Sequence, residues 1–225
     1  MDRLQGDRTA NPIIQRPLHS RAGTPLVGRR EELVRLATAL DLAADGHGCA
    51  VFLTGQPGIG KTRLAQECLA LARARGFTAL EGRGLSLGSG RAYSPIVGAL
   101  GPLLRSLDSA DLEALVGGLP DLGRLFDSVQ LPPPSFPLEG LGDPALEKTR
   151  LFGAVDRLLE RLAEQVPVVL FIDDMHWADD STLELLQYLA SGLSRRRMLM
   201  LATYAADAFE DSYSLRTLVA WLLRS

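Results

Sequence analysis

The eight residues Gly55-Gln56-Pro57-Gly58-Ile59-Gly60-Lys61-Thr62 constrain this chain more than any other stretch, because they fit the pattern G-x-x-x-x-G-K-[ST]. Ahead of them, Cys49-Ala50-Val51-Phe52-Leu53-Thr54 is a short apolar run with β-branched and aromatic members, which reads as a buried strand. Behind them, apolar residues recur at 64, 68 and 71 and at 65, 69 and 72, the spacing of a helix. Strand, glycine loop and helix in that order make an anion cradle. Glycines let backbone N–H groups wrap an anion without Cβ clashes, and the helix N-terminus adds partial positive charge and free donors. In loops of this kind the lysine, here Lys61, reaches β- and γ-phosphates, and the hydroxyl, here Thr62, binds Mg²⁺.

At 225 residues the chain allows one large domain or two small ones, and 46% hydrophobic residues suffice for a sizeable core. A net charge of -3 offers no electrostatic footprint for nucleic acid or an anionic membrane, so neither is expected as a direct partner. Cys49 and Cys68 cannot make a disulfide framework or a zinc site, and their positions suit buried, reduced thiols. No apolar run approaches a membrane span, and the N-terminus lacks the apolar core of a signal peptide, so the expected compartment is the cytoplasm. Lysine occurs only at Lys61 and Lys148, and one of the two sits in the glycine loop.

Residues 1–23 are polar, arginine-bearing and aperiodic, and read as a disordered tail before a domain over 24–225. A turn at Thr24-Pro25 leads into a helix with Leu33, Leu36, Ala37, Leu40 and Ala44 on one face. After the loop's own helix, Phe77 to Gly82 reads as a second strand, and the glycine-rich stretch from Gly82 to Gly90 as a flexible surface loop. Ser94-Pro95 predicts a helix with serine as cap and proline at its first position. A short helix over Asp111–Val116 and a weakly helical stretch from Leu119 to Phe126 follow. Leu131 to Pro137 is too proline-rich for regular structure and reads as a connecting loop. Asp143-Pro144 opens a helix that puts Leu151, Val155, Leu158 and Leu162 on one face. Val168 to Ile172 is continuously apolar, as a central parallel strand covered on both faces must be. Ser181-Thr182-Leu183-Glu184 predicts a capping box and a helix, Met198 to Thr203 a fourth strand, and Ser214 to Leu223 a last helix. Strands alternating with helices give an α/β fold with a parallel sheet between helical layers.

The third strand ends in Asp173-Asp174. In enzymes that bind nucleotides on such a loop, an apolar strand delivers an acidic residue to Mg²⁺, and Asp173 is placed for that. A second carboxylate there can orient or deprotonate an attacking water, which gives Asp174 a catalytic role beside Lys61. The alternative is that one of the two aspartates caps the next turn.

Three stretches together resemble the STAND-type AAA ATPases: Leu26-Val27-Gly28-Arg29-Arg30-Glu31-Glu32-Leu33 their N-terminal box, Gly55 to Thr62 their Walker A, and Leu170-Phe171-Ile172-Asp173-Asp174-Met175-His176-Trp177-Ala178-Asp179 their Walker B and its extension. The similarity is greatest to the ATPase module of large ATP-binding LuxR-type transcriptional regulators and extends from about Leu26 to the end of the chain. The resemblance implies a P-loop NTPase three-layer αβα sandwich that binds ATP with Mg²⁺ and acts as a nucleotide-dependent switch. It places Val27, Gly28 and Arg29 on the adenine side, Gly55, Gln56, Pro57, Gly58, Ile59, Gly60, Lys61, Thr62 and Arg63 around the phosphates, and Thr62 and Asp173 at the metal. It also puts His176 and Trp177 beside the γ-phosphate, with core packing as the other reading of Trp177.

Two departures qualify it. The family pattern leads to Thr-Tyr-Arg at the end of the fourth strand, with the arginine on the γ-phosphate, whereas this chain has Thr203-Tyr204-Ala205. Binding is expected to survive and hydrolysis to be weak. The family's strand order is 5-1-4-3-2; here 1-4-3-2 is expected, without the fifth strand or the helical lid. The loop-bearing first strand then becomes an uncovered edge, so the chain reads as a truncated fragment or as one that self-associates or pairs with a partner protein there. The rival readings are a nucleotide-binding interaction module without turnover, and a small-molecule kinase, for which no acceptor motif is visible. No Asn-Lys-x-Asp guanine reader is present.

Overall fold

The computed structural model describes residues 28–85, 92–127, 129, 131 and 143–222. The expected tail over 1–23, Val27 and residues 132–137 of the proline-rich loop lie outside them.

Four strands form one parallel sheet: β1 (Cys49–Gly55), β2 (Thr78–Arg83), β3 (Val168–Asp173) and β4 (Met198–Ala205), in the order β1-β4-β3-β2. The two inner strands are β4 and β3, and every residue of both is buried. Their continuous apolar sequence has a simple cause, because successive side chains point to opposite faces. Val168, Leu170 and Ile172 of β3 and Met198, Met200 and Ala202 of β4 enter the larger core, while Val169, Phe171, Leu199 and Leu201 enter the smaller one.

The smaller core lies under α1 (Arg30–Ala44) and α2 (Lys61–Ala74), through Leu36, Leu40, Leu64, Cys68 and Leu69. The larger lies under α3 (Ser94–Ser106), α4 (Ser109–Val116), α5 (Pro144–Gln165), α6 (Asp180–Ala190) and α8 (Tyr213–Leu222). A short α7 (Ala206–Asp211) joins β4 to α8. The two-sided cover follows from the strand order. The connection from β1 to β2 runs one way across the sheet, and those from β2 to β3 and from β3 to β4 run back. If all share the right-handed crossover, their helices must lie on opposite faces. α2 indeed lies on one face, and α3, α5 and α6 lie on the other.

Several helix starts differ from expectation. Asp179, not Ser181, caps α6, accepting from the Thr182 backbone N–H at 3.0 Å and from the Thr182 hydroxyl. Ser94 is already helical; the residue before it, Tyr93, takes a left-handed conformation at φ 65° with its N–H on Asp179 Oδ2 at 3.2 Å. Asp143 caps α5 as predicted, accepting from Ala145 N–H at 2.9 Å. The second strand extends one residue past Gly82, and Gly84 N–H still donates to the Asp173 carbonyl at 2.8 Å. The expected flexible loop therefore does not begin at Gly82. A Cβ at Gly82 would stand 2.0 Å from the Pro95 carbonyl oxygen, and one at Gly84 2.3 Å from that of Asp174. Both glycines are close-approach positions, where α3 and the tip of β3 press on β2.

Phe171 is 1% exposed under α2. Phe171→Ala is expected to lower unfolding free energy by about 3–5 kcal/mol in urea denaturation. Tyr213→Ala, at a side chain 75% exposed, should change it by less than about 0.5 kcal/mol.

Candidate functional site

All four strands are parallel, so their C-terminal ends lie on one side of the sheet, where ligands bind in open α/β folds. The glycine loop leaves β1 there and becomes α2 at Lys61. Gly58 (φ 80°) and Gly60 (φ 96°) take left-handed conformations, and a Cβ at either would meet nothing within 4 Å. The loop thus needs glycine for its backbone path, and the space over those glycines can accommodate a phosphate. Lys61 Nζ lies across the loop mouth, donating to the carbonyl oxygens of Gly55 at 2.9 Å and Gln56 at 3.0 Å.

Asp173, at the end of β3, is 6% exposed. Its Oδ1 accepts from the Thr62 hydroxyl at 2.9 Å and from the Thr203 hydroxyl of β4 at 2.7 Å. Thr203, fully buried, also accepts from the Asp174 backbone N–H at 2.8 Å. One chain of hydrogen bonds therefore joins the glycine loop, β3 and β4. Asp174 itself is left-handed at φ 51°, one of two non-glycine residues with positive φ among those described. Its Oδ2 accepts from Arg83, at the tip of β2, at 2.9 Å.

The donor set suits a small hard cation. Asp173 keeps Oδ2 apart from the two hydroxyl bonds, and Thr62, its proton directed at Asp173, keeps oxygen lone pairs. Among the described residues no group of three or more His, Cys, Asp and Glu could hold a metal. A divalent cation here would complete its shell with phosphate oxygens and water, as Mg²⁺ does in nucleotide sites.

After Asp174 a short 3₁₀ turn, Met175–Trp177, carries the two ring residues. His176 Nδ1 accepts from the Ala205 backbone N–H at 3.4 Å, and its ring lies 4.9 Å from that of Trp177. Burial lowers the His176 pKa below its ordinary value, while the Asp174 charge works the other way. Trp177 is 51% exposed, so it is not a core residue. Ala205 ends β4 where the family pattern leads to arginine, and His176 stands against its backbone.

On the outer side of the loop a cavity of about 390 Å³ opens between α1, β1 and α2. Its walls are mainly apolar, including Leu36, Val51, Leu53 and Leu64, and Arg29, Gly60 and Lys61 line it too. Arg29 crosses its mouth, donating to Glu32 at 2.7 Å and to the Ile59 carbonyl of the loop at 3.2 Å. The hydrogen bond from Arg29 holds the Glu32 carboxyl below the usual carboxylate range. Gly28 (φ 79°) leads into this segment. Gln56 and Pro57 lie in the loop beside the lysine, and Arg63 is tied to Glu67 one turn along α2, at 2.7 and 2.9 Å.

Of the residues singled out in the sequence, Gly55 to Thr62, Asp173, Asp174 and His176 gather at one end of the sheet. Two others there were missed. Thr203 had no motif beyond its place at a strand end, and Arg83 was hidden between two glycines that resemble loop. Among the described residues no helix is long and apolar enough to cross a membrane.

A family profile described as AAA ATPase domain matches residues 25–201. The chain is 27% identical over 193 residues to an uncharacterised protein of Rhizobium meliloti (strain 1021), covering 81% of this chain and 19% of that protein. It thus spans less than a fifth of that curated relative's length. Among solved structures, a Walker-type ATPase of Pyrococcus abyssi is similar with a TM-score of 0.43 and 15% identity, over 88% of this chain and 48% of that one.

Thr203→Val removes a buried hydroxyl that both donates and accepts, leaving the Asp174 N–H without its partner. Denaturant titration should show a loss of about 1–3 kcal/mol. Thr217→Val, whose exposed hydroxyl bonds only its own helix at Tyr213 O, should stay within about 0.5 kcal/mol of the parent.

Proposed function

This chain belongs to the AAA ATPase domain family, and from that premise we propose that it is an ATP-binding, weakly ATP-hydrolysing module, a nucleotide-dependent switch in a LuxR-type transcriptional regulator. The observation that carries the nucleotide reading is the 2.9 Å hydrogen bond from Thr62 to Asp173, which joins the glycine loop to the acidic strand end across 111 residues.

In this reading Gly55 to Thr62 and the N-terminus of α2 wrap the phosphates, with Arg63 just inside the helix. Lys61 exchanges the Gly55 and Gln56 carbonyls for phosphate oxygens, which bind an ammonium more strongly. The base lies in the cavity beside the loop, with Arg29 at its mouth, and by the family resemblance Val27 and Gly28 belong to the same adenine-side box. Thr62 and Asp173 hold Mg²⁺, which when bound supplies charge neutralisation at the phosphate oxygens. Asp174 orients the attacking water or takes its proton. His176 and Trp177, next in the chain, couple the phosphate side of the site to the surface, where Trp177 is exposed.

The regulator assignment is supported by the Asp173-Asp174-Met175-His176-Trp177-Ala178-Asp179 string and the box around Gly28 and Arg29. In such a regulator this module works in the cytoplasm and reads no DNA itself, in keeping with its net charge of -3. A second reading, nucleotide binding without turnover, is favoured by one feature: β4 ends in Ala205, which offers no cation to the transferring phosphoryl group.

Calorimetry with ATP and Mg²⁺, paired with single-turnover hydrolysis, separates the readings. Lys61→Ala should weaken ATP binding by about tenfold or more, the loss of one charge-assisted contact. Asp174→Asn should leave binding within about twofold and slow hydrolysis about a hundredfold. Binding without hydrolysis above background selects the second reading. A hydrolysis rate indifferent to both substitutions removes the ATPase reading.

A further inference from the structure

We propose that Glu32 reads the base of the bound nucleotide: its second carboxylate oxygen accepts from the exocyclic amine of adenine and so selects ATP over a purine nucleotide that lacks that amine. This rests on the nucleotide reading above, which puts a base in the cavity beside the loop, and adds to it a specificity-determining residue.

The cavity between α1, β1 and α2, about 390 Å³, has room for a purine. Its walls are mainly apolar, so a base that enters them leaves water, and its polar edge needs partners inside. The charged side chains of the lining are Arg29, Arg35, Lys61 and one carboxylate, Glu32. Lys61 is turned to the loop carbonyls, on the phosphate side. The Thr54 hydroxyl, the other side-chain oxygen of the lining, stands on β1 directly before the loop. Glu32 is therefore the acceptor on the α1 wall, across the cavity from the strand.

The carboxylate is prepared for that task. Its Oε1 accepts from Arg29 Nη1 at 2.7 Å, and among the described hydrogen bonds none reaches Oε2. The hydrogen bond from Arg29, with the Arg35 charge acting in the same direction, holds the carboxyl below the usual carboxylate range. At neutral pH it is ionised and can only accept. Arg29 also donates to the Ile59 carbonyl at 3.2 Å, so one guanidinium braces Glu32 against the glycine loop. An acceptor held in place before the ligand arrives loses little freedom on binding.

Adenine presents its amine as a donor beside a ring nitrogen that accepts. Glu32 matches the amine, and Arg35, three residues on along α1 and also in the lining, offers donors to the ring nitrogen. A purine without the amine would leave the ionised oxygen facing a C–H group, and a site built around a hydrogen bond rejects the ligand that cannot make it.

The test uses the full chain and reads affinity rather than turnover. Calorimetry in saturating Mg²⁺ gives the dissociation constants of ATP and of purine riboside triphosphate, which differs from ATP only in lacking the 6-amino group. The parent should bind ATP about tenfold tighter. In Glu32→Ala the ratio should fall to within about twofold of unity. Glu32→Gln keeps the volume, but Arg29 claims its one oxygen and the amide NH₂ is left to face the base, so its ratio should fall as far. A Glu32 that only braced Arg29 and the loop would weaken both nucleotides together and leave the ratio at the parent value. Equal affinities in the parent, or the parent ratio kept by either variant, overturn the base reader. A parent chain that binds neither nucleotide overturns the nucleotide reading instead, so the two failures are told apart.

Discussion

One carboxylate oxygen, Asp173 Oδ1, holds this end of the sheet together. It accepts two hydroxyl protons, from Thr62 at the start of α2 and from Thr203 at the end of β4. Asp173 is 6% exposed and Thr203 fully buried, so the bond between these two forms in a low dielectric, where a missing partner is costly, while the bond from Thr62 lies nearer solvent. The glycine loop has few side chains of its own to fix its position. It is placed at its far end by Thr62 and on its outer side by Arg29, which bonds the Ile59 carbonyl.

The rest of the fold delivers those groups to one place. The strand order β1-β4-β3-β2 puts β4 and β3 inside the sheet between β1 and β2, so the loop, Thr203 and Asp173 come from three adjacent strand ends. The apolar alternation of β3 and β4 anchors both strands in two cores at once. A one-residue slip would turn Asp173 away from Thr62 and send Phe171 into the wrong core, so register and site geometry share one cause.

Much of this was legible in the residues. The glycine loop, the strand ending in two aspartates and the alternation of strands with helices were readable because each depends on a local pattern: fixed spacing, a continuous apolar run, helix periods between strands; the strand order itself came from the family resemblance. What escaped reading depends on contacts between distant segments. Gly82 and Gly84 look like loop punctuation, yet each is small because another backbone presses on it. Arg83 was lost between them. Thr203 looks like an ordinary strand residue until Asp173 lies beside it. Asp179 outcompeted Ser181 as a cap because its carboxylate accepts from Thr182 and from Tyr93 N–H of another helix start, which no local pattern reveals.

Asp174 is where these constraints collide. Its left-handed backbone costs about 1–2 kcal/mol relative to the ordinary region, and two bonds offset that strain: its N–H on Thr203 and its carboxylate on Arg83. The kink starts the 3₁₀ turn that carries His176 and Trp177, and His176 returns to the sheet by accepting from Ala205 N–H. The turn is held by β4 through Asp174 and His176, by the buried Met175 in the larger core, and by backbone bonds from Trp177 N–H to the Asp174 carbonyl at 2.9 Å and from Ala178 N–H to the Met175 carbonyl at 3.0 Å. A change in what binds the Asp174 carboxylate alters the balance that keeps this residue strained, and the segment free to respond is the one bearing the exposed Trp177. In the proposed switch, Trp177 is the exposed residue of this turn through which such a change would reach the surface.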